Sequence, residues 1–274
     1  MAIDLTAGMI AATVEIDQPQ ADGKRTVGTG FLIQDPRPDG TPRTVLITAG
    51  HVFENMPGPS ARIGYRFQGD GGVWRFSAQP LAIRDGAKPL WVRNPNRDIA
   101  VIAIEAPPEF ARAAIPLAWL ADDTAFDRSG VATGDEMFVL GFPEGLAANG
   151  EGFPILRSGR VASYPLTPVA QFPNFLLDFR VFSGNSGGPV FITSDMLRHP
   201  VPDGAKGDFV AGLLAQQTTV GDEKLELGIV INAVFIRQTL ALLDIPGAPT
   251  APATPPAAPS AAEPPAAKQV SVGR

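Results

Sequence analysis

The chain contains no cysteine. A disulfide framework, a thiolate metal site and a cysteine nucleophile are all excluded. The lack of disulfides in a chain of this size points to a cytoplasmic or bacterial setting. Positive charge is also in short supply. Lys and Arg number 22 against 28 Asp and Glu, a net charge of −6, whereas a nucleic-acid binder would normally carry a basic patch. No run approaches the ~18 apolar residues that a membrane span needs. The opening "MAIDLTAGMIAATVEID" has an early Asp4 and no basic residue before its apolar stretch, unlike a secretory signal. The expectation is a soluble cytoplasmic protein that touches neither nucleic acid nor membrane. No cofactor or metal site is expected. Only two histidines are present, so any chemistry that needs an imidazole must use His51 or His199.

Apolar residues make up 45% of the chain, enough to build a core. Gly and Pro clusters break residues 1–245 about every ten positions. Between them lie runs such as "GTGFLIQ", "RTVLITA", "DIAVIAIE", "EMFVLGF", "RVASYPL", "NFLLDFRV", "GPVFI", "FVAGLLAQ" and "GIVINAVF". Short runs rich in β-branched and aromatic residues are strands, and many of them at close spacing predict an all-β body of two small barrels or sandwiches with a cleft between them. "INAVFIRQTLALLDI" places apolar residues near helical spacing ahead of Pro246 and predicts a C-terminal helix. From Pro246 onward the chain is nearly all Pro, Ala, Ser and Thr. Such a segment buries too little apolar surface to offset its ordering entropy, so residues 246–274 are expected to be a disordered tail, either inert or a docking arm.

"FSGNSGGP", Phe182 to Pro189, sets one hydroxyl among three glycines. It reads as a plain turn or as a loop that aims Ser186 and nearby backbone N–H groups at one point. His51, in "VLITAGHVFENM", follows a strand and a small-residue turn and opens a short helical turn. His199 lies in a Pro-rich loop and reads as surface. Asp98 stands at the mouth of the apolar strand "IAVIAI". Each context is weak alone. Together they supply the parts that acyl transfer needs. A serine hydroxyl is a poor nucleophile without an adjacent base, and imidazole is suited to that task. The imidazole needs an acceptor on its other nitrogen, and the developing oxyanion needs fixed donors. The candidates are Ser186, His51 and Asp98, with the N–H groups of Gly184 and Ser186 as an oxyanion hole.

"TAGH", "RDIAVIAI" and "GNSGGP", in the order His, Asp, Ser, resemble the trypsin/chymotrypsin-like serine peptidases. "GTGFLI", "VLGFPEG", "ILRSGRVASY" and "FVAGLLAQQ" extend the resemblance over about residues 8–245, and "GNSGGP" with "GIVINAVF" is most similar to the bacterial HtrA-like branch, here without a PDZ domain. The resemblance implies two six-stranded β-barrels in a peptidase domain over 1–245, a peptide or protein substrate, and endopeptidase action through an acyl-enzyme. Its alternative is a catalytically silent binding module that uses the Pro-rich tail. The family's digestive members carry Asp where this chain has Asn185, which implies maturation without zymogen cleavage. By resemblance the substrate pocket is framed by Ala215, Gln216, Gln217, Gly228 and Val230. Arg180 takes the place of the residue at the pocket's base. Turned inward it would pair with an acidic substrate side chain; turned outward it is a surface charge. "PEGLAANGEGF", Pro143 to Phe153, is a Gly-rich loop and either an ordinary connection or a flap over the cleft. The oligomeric state is not legible.

Overall fold

A computed structural model describes residues 4–220 and 223–246, with side chains left undescribed at 109, 216–220 and 223–224. Apart from Pro246, the expected tail lies outside the described residues. The rest is the expected all-β body with a C-terminal helix.

The chain opens with a helix, α1 (Leu5–Ala12), capped by the Asp4 carboxylate, which accepts from the Ala7 N–H at 3.0 Å. Leu5, Met9 and Ala12 lie on one buried stripe. Strands β1 (Thr13–Pro19), β2 (Arg25–Gln34) and β3 (Thr44–Thr48) follow. Then come α2 (Gly50–Glu54), β4 (Ser60–Gln68), β5 (Trp74–Ala82), a two-stranded ribbon of β6 (Arg84–Asp85) and β7 (Lys88–Pro89), β8 (Val92–Arg93) and β9 (Ala100–Ile104). Next are α3 (Pro108–Ala111), β10 (Ile115–Pro116) and α4 (Ala125–Ser129). The second half holds β11 (Glu136–Gly141), β12 (Ile155–Val161), β13 (Asn174–Asp178), β14 (Pro189–Ile192), β15 (Phe209–Val220), β16 (Glu223–Asn232) and α5 (Ala233–Ala241).

The second half closes into a six-stranded barrel in the order β11-β12-β13-β16-β15-β14. The first half forms an eight-stranded sheet in the order β5-β4-β1-β2-β3-β9-β8, with β10 on β2 and no closing ladder. The long hairpin of β4 and β5 accounts for the open edge. Its outer strand is largely exposed and carries Pro80, which cannot donate to a ladder. β3, "TVLIT", is buried on both faces apart from its first residue, which is why its apolar run is continuous rather than alternating.

Register positions the site. β3 and β9 are antiparallel with Thr48 opposite Ala100, so the chain leaving β3 toward His51 meets the chain that enters β9 from Asp98. β11 and β14 pair with Val139 opposite Val190. The loop after β11 therefore lies beside the serine-bearing loop before β14. The two loop-bearing edges face each other, and Thr29 of β2 donates its N–H to the Ser186 carbonyl across the junction at 2.9 Å.

Candidate functional site

His51 sits on the first turn of α2, one residue after Gly50. Its Nδ1 is 2.6 Å from Asp98 Oδ2, and its backbone N–H donates to Asp98 Oδ1 at 3.0 Å. The carboxylate accepting at Nδ1 fixes the ring tautomer and leaves Nε2 with its lone pair free. Burial alone would push the Asp98 carboxyl up. The contacts from His51, together with the Arg93 guanidinium, outweigh it and hold Asp98 below the ordinary carboxylate range. Arg93, buried on β8, lies 3.5 Å from Asp98 Oδ1 and also pairs with Glu54 of α2.

Ser186 and His51 line one cleft of about 300 Å³, together with Ser183 and Gly184, Arg25 to Val27 and Glu144. Among the described residues no hydrogen bond joins the Ser186 hydroxyl to His51. Gly184 adopts φ +89°, and a Cβ there would stand 2.3 Å from the Phe142 carbonyl oxygen, so only glycine fits. The Ser183 carbonyl accepts from the Glu144 N–H at 2.7 Å. A trans peptide points its C=O and N–H in opposite directions, so this bond turns the Gly184 N–H away from Glu144. Neither the Gly184 nor the Ser186 N–H donates to another group among the described residues.

Thr29, fully buried, uses its hydroxyl and N–H to clamp this loop and its carbonyl to hold β3. Its hydroxyl donates to the Gly184 carbonyl at 2.6 Å and accepts from the Phe142 N–H at 3.1 Å. Its N–H holds Ser186, and its carbonyl accepts from the Thr48 hydroxyl at 2.7 Å. Gly187, at φ +87°, lets the loop pass, since a Cβ there would sit 2.0 Å from the Thr29 carbonyl oxygen.

Of the other sequence candidates, Ala215, Gln216, Gln217, Gly228 and Val230 lie together on the paired strands β15 and β16, and the Leu214 backbone of β15 bonds to Gly187 and Gly188 of the serine loop. Arg180 is 61% exposed at its side chain, 3.5 Å from Glu226, and stacks on Phe182 at 5.0 Å, so its guanidinium faces outward. Ala215 is buried on β15, and Gly228 and Val230 are buried on β16, Val230 completely. Gln216 and Gln217 occupy β15 opposite Ile229 and Gly228, and their side chains lie outside the description. His199 is exposed in its loop. Sequence reasoning missed Thr29, Arg93 and Glu54. The only signals were the Thr inside "GTGFLI" and the glycine before His51. Among the described residues no group of three or more acidic or histidine side chains could hold a metal.

The model of the trypsin-like peptidase domain family matches residues 28–196. No curated protein matches the chain. Similar solved structures include the active form of a protease from M. tuberculosis, 20% identical over 86% of this chain and 82% of that one, with a TM-score of 0.47. The HtrA-type protease AlgW with a tripeptide is 13% identical over 87% of this chain and 61% of that one, with a TM-score of 0.47. The protease Anisep from Arthrobacter nicotinovorans is 17% identical over 85% and 94%, with a TM-score of 0.46.

Proposed function

The chain belongs to the trypsin-like peptidase family, and we propose that within it the protein is a serine endopeptidase with Ser186 as nucleophile, His51 as base and Asp98 as the residue that orients the base. The observation that carries this reading is one cleft holding the Ser186 hydroxyl and a His51 ring whose Nδ1 is tied to Asp98 at 2.6 Å. In this reading the Ser186 oxygen attacks the peptide carbonyl carbon while its proton passes to His51 Nε2. The N–H groups of Gly184 and Ser186 receive the oxyanion. The C–N bond then breaks as His51 returns the proton to the leaving amine, and the acyl group stays on Ser186. Water, deprotonated by His51, releases it as the acid. Asp98, held below the ordinary carboxylate range, stays ionised and stabilises the imidazolium. The open contact between Ser186 and His51 suits this role, because such bonds often tighten only with substrate bound. The substrate is a protein or peptide. The outward Arg180 supports a pocket that does not select acidic side chains.

Covalent labelling with a fluorophosphonate probe tests the reading. The wild-type chain is expected to label, and Ser186→Ala and His51→Ala to abolish labelling while remaining folded. A folded wild-type protein that does not label would leave the silent binding module as the better account.

A further inference from the structure

Asp98 has two oxygens, and their surroundings differ. Oδ2 takes the His51 ring, while Oδ1 takes the His51 backbone N–H and faces Arg93 at 3.5 Å. Among the described residues no hydroxyl donates to Asp98, and Arg93 is the one Lys or Arg side chain within ion-pair distance of it. The Arg93 side chain is only 7% exposed, and a buried guanidinium persists only where anions compensate it. Glu54, one turn beyond His51 on α2, supplies the second anion. Space for this arrangement comes from Gly50. A Cβ there would stand 2.0 Å from Arg93 Nη1 and 2.9 Å from Asp98 Oδ1, so an alanine before the histidine would force the guanidinium away.

We propose that Arg93, balanced by Glu54, is a positioning residue that sets the electrostatic field on the Asp98–His51 pair and so the pH at which His51 takes up a proton. The charges alternate in sign along Glu54, Arg93, Asp98 and His51, with Arg93 the most buried of the four. The other charged groups near the pair are already engaged or exposed. Arg25 is held by Glu15 at 2.8 Å and Asp17 at 3.0 Å. The Arg97 guanidinium lies over the Phe235 ring at 4.9 Å. Glu144 stands exposed on the cleft wall. Among the described residues none of these pairs with Arg93 or Glu54.

Opposite charge removals must act in opposite directions. Arg93→Met leaves Glu54 and Asp98 unbalanced and favours the imidazolium, so the His51 midpoint rises. Glu54→Gln leaves the Arg93 charge unbalanced, so the midpoint falls. The double variant removes one charge of each sign and returns close to wild type. Each single shift is expected to be about one pH unit, the usual scale for a neighbouring charge. The chain has only two histidines, so NMR titration of the imidazole protons reads His51 directly, with His199→Gln giving the assignment. Fluorophosphonate labelling rate against pH, on the same full-length variants, should show its acid limb moving with each midpoint. A merely structural Arg93 would lower the folded fraction without shifts of opposite sign. Unchanged midpoints, or shifts of one sign in both single variants, overturn the proposal. Should Arg93→Met fail to fold, Glu54→Gln at a partly exposed position and the charge-conserving Arg93→Lys still decide it: the first must lower the midpoint, and the second must leave it near wild type. The inference rests on His51 being the base, but the NMR midpoint does not. A wild type that fails to label would sink the peptidase reading and leave the midpoints to judge Arg93.

Discussion

Ser186 and Gly184 owe their placement to a threonine from the other half of the molecule. The Thr29 hydroxyl serves two buried backbone groups, the Gly184 carbonyl and the Phe142 N–H. Removing it leaves both without partners. Thr29→Val is therefore expected to cost about 2 kcal/mol of stability, the usual penalty for unsatisfied buried groups. The loop it released would misplace the Gly184 N–H, and misplacements of that kind slow chemistry by about ten- to a hundredfold. Thr29→Ser keeps the hydroxyl and should retain most of both. Chemical denaturation and fluorophosphonate labelling rates check the pair. A valine variant as fast as wild type would show that the hydroxyl does not position the loop.

At the scale of elements, the β4–β5 hairpin and α3 form a local core that a titration can read. Tyr65 of β4 stacks on Phe110 of α3 with ring centroids 4.2 Å apart and planes 3° apart. Burial pushes its phenol from 10.0 up to about 12. The neutral phenol is thus favoured in the fold over the unfolded chain. The stability it contributes is fully present below pH 10 and is lost as pH rises through about 12. The only other tyrosine, Tyr164, is 86% exposed. Phenolate absorbance should then rise in two separated steps, the later one accompanied by loss of near-ultraviolet circular dichroism. Both tyrosines ionising together in the folded protein would contradict this packing. Arg66, on the same strand, ties the hairpin to its surroundings. It donates to the Ala11 carbonyl at the end of α1 and to the Gly152 carbonyl of the loop after β11, both at 3.0 Å. The Pro143–Phe153 loop is thus held at its far end by the first sheet, an anchorage that a reading of its glycines alone does not predict.

Across the whole molecule, the sheet and the barrel are interlocked at points far apart in sequence. Thr29 holds the serine loop, Arg66 holds Gly152, and Arg43 at the edge of β3 binds Asp35 at 2.5 Å and Asp244 beyond α5 at 2.8 Å. The Arg237 guanidinium of α5 donates to the Ala121 and Leu117 carbonyls of the segment that joins the halves, both at 3.1 Å. Thermal unfolding is therefore expected as one transition by both circular dichroism and tryptophan fluorescence. Arg43 is buried and its loss strands the buried Asp35 carboxylate, while Asp244 keeps contact with water, so Arg43→Met should lower stability by about 3 kcal/mol, the scale of a broken buried ion pair. Two resolved transitions in the wild type would mean that the halves are less coupled than these contacts imply.

The sequence by itself determined what depends on near neighbours. Alternating and continuous apolar runs marked β2, β3, β9 and five of the six strands of the closed barrel; for β12 the run "RVASYPL" overlaps only the last two residues, because Ile155–Val161 is half exposed and interrupted by arginines. The apolar spacing before Pro246 marked α5, and the glycines around Ser186 marked a loop in which only glycine meets the required backbone angles. It did not mark the β4–β5 hairpin, whose strand "WRFSAQPLA" is exposed along much of its length and carries no clear apolar alternation, nor α1, whose short run of small and apolar residues lacks a distinct polar face. The candidate residues His51, Asp98 and Ser186 were legible because each sits in a distinctive local context. Their meeting was decided by the antiparallel register of Thr48 against Ala100 and by the packing of barrel against sheet. Thr29 with Gly184, and Arg93 with Glu54 and Asp98, were decided there too. Such contacts join residues that are distant along the chain, and a hydrogen bond or ion pair between distant segments leaves no period in the sequence. Only the closed tertiary structure brings those atoms within a few ångströms and excludes the water that would otherwise weaken them.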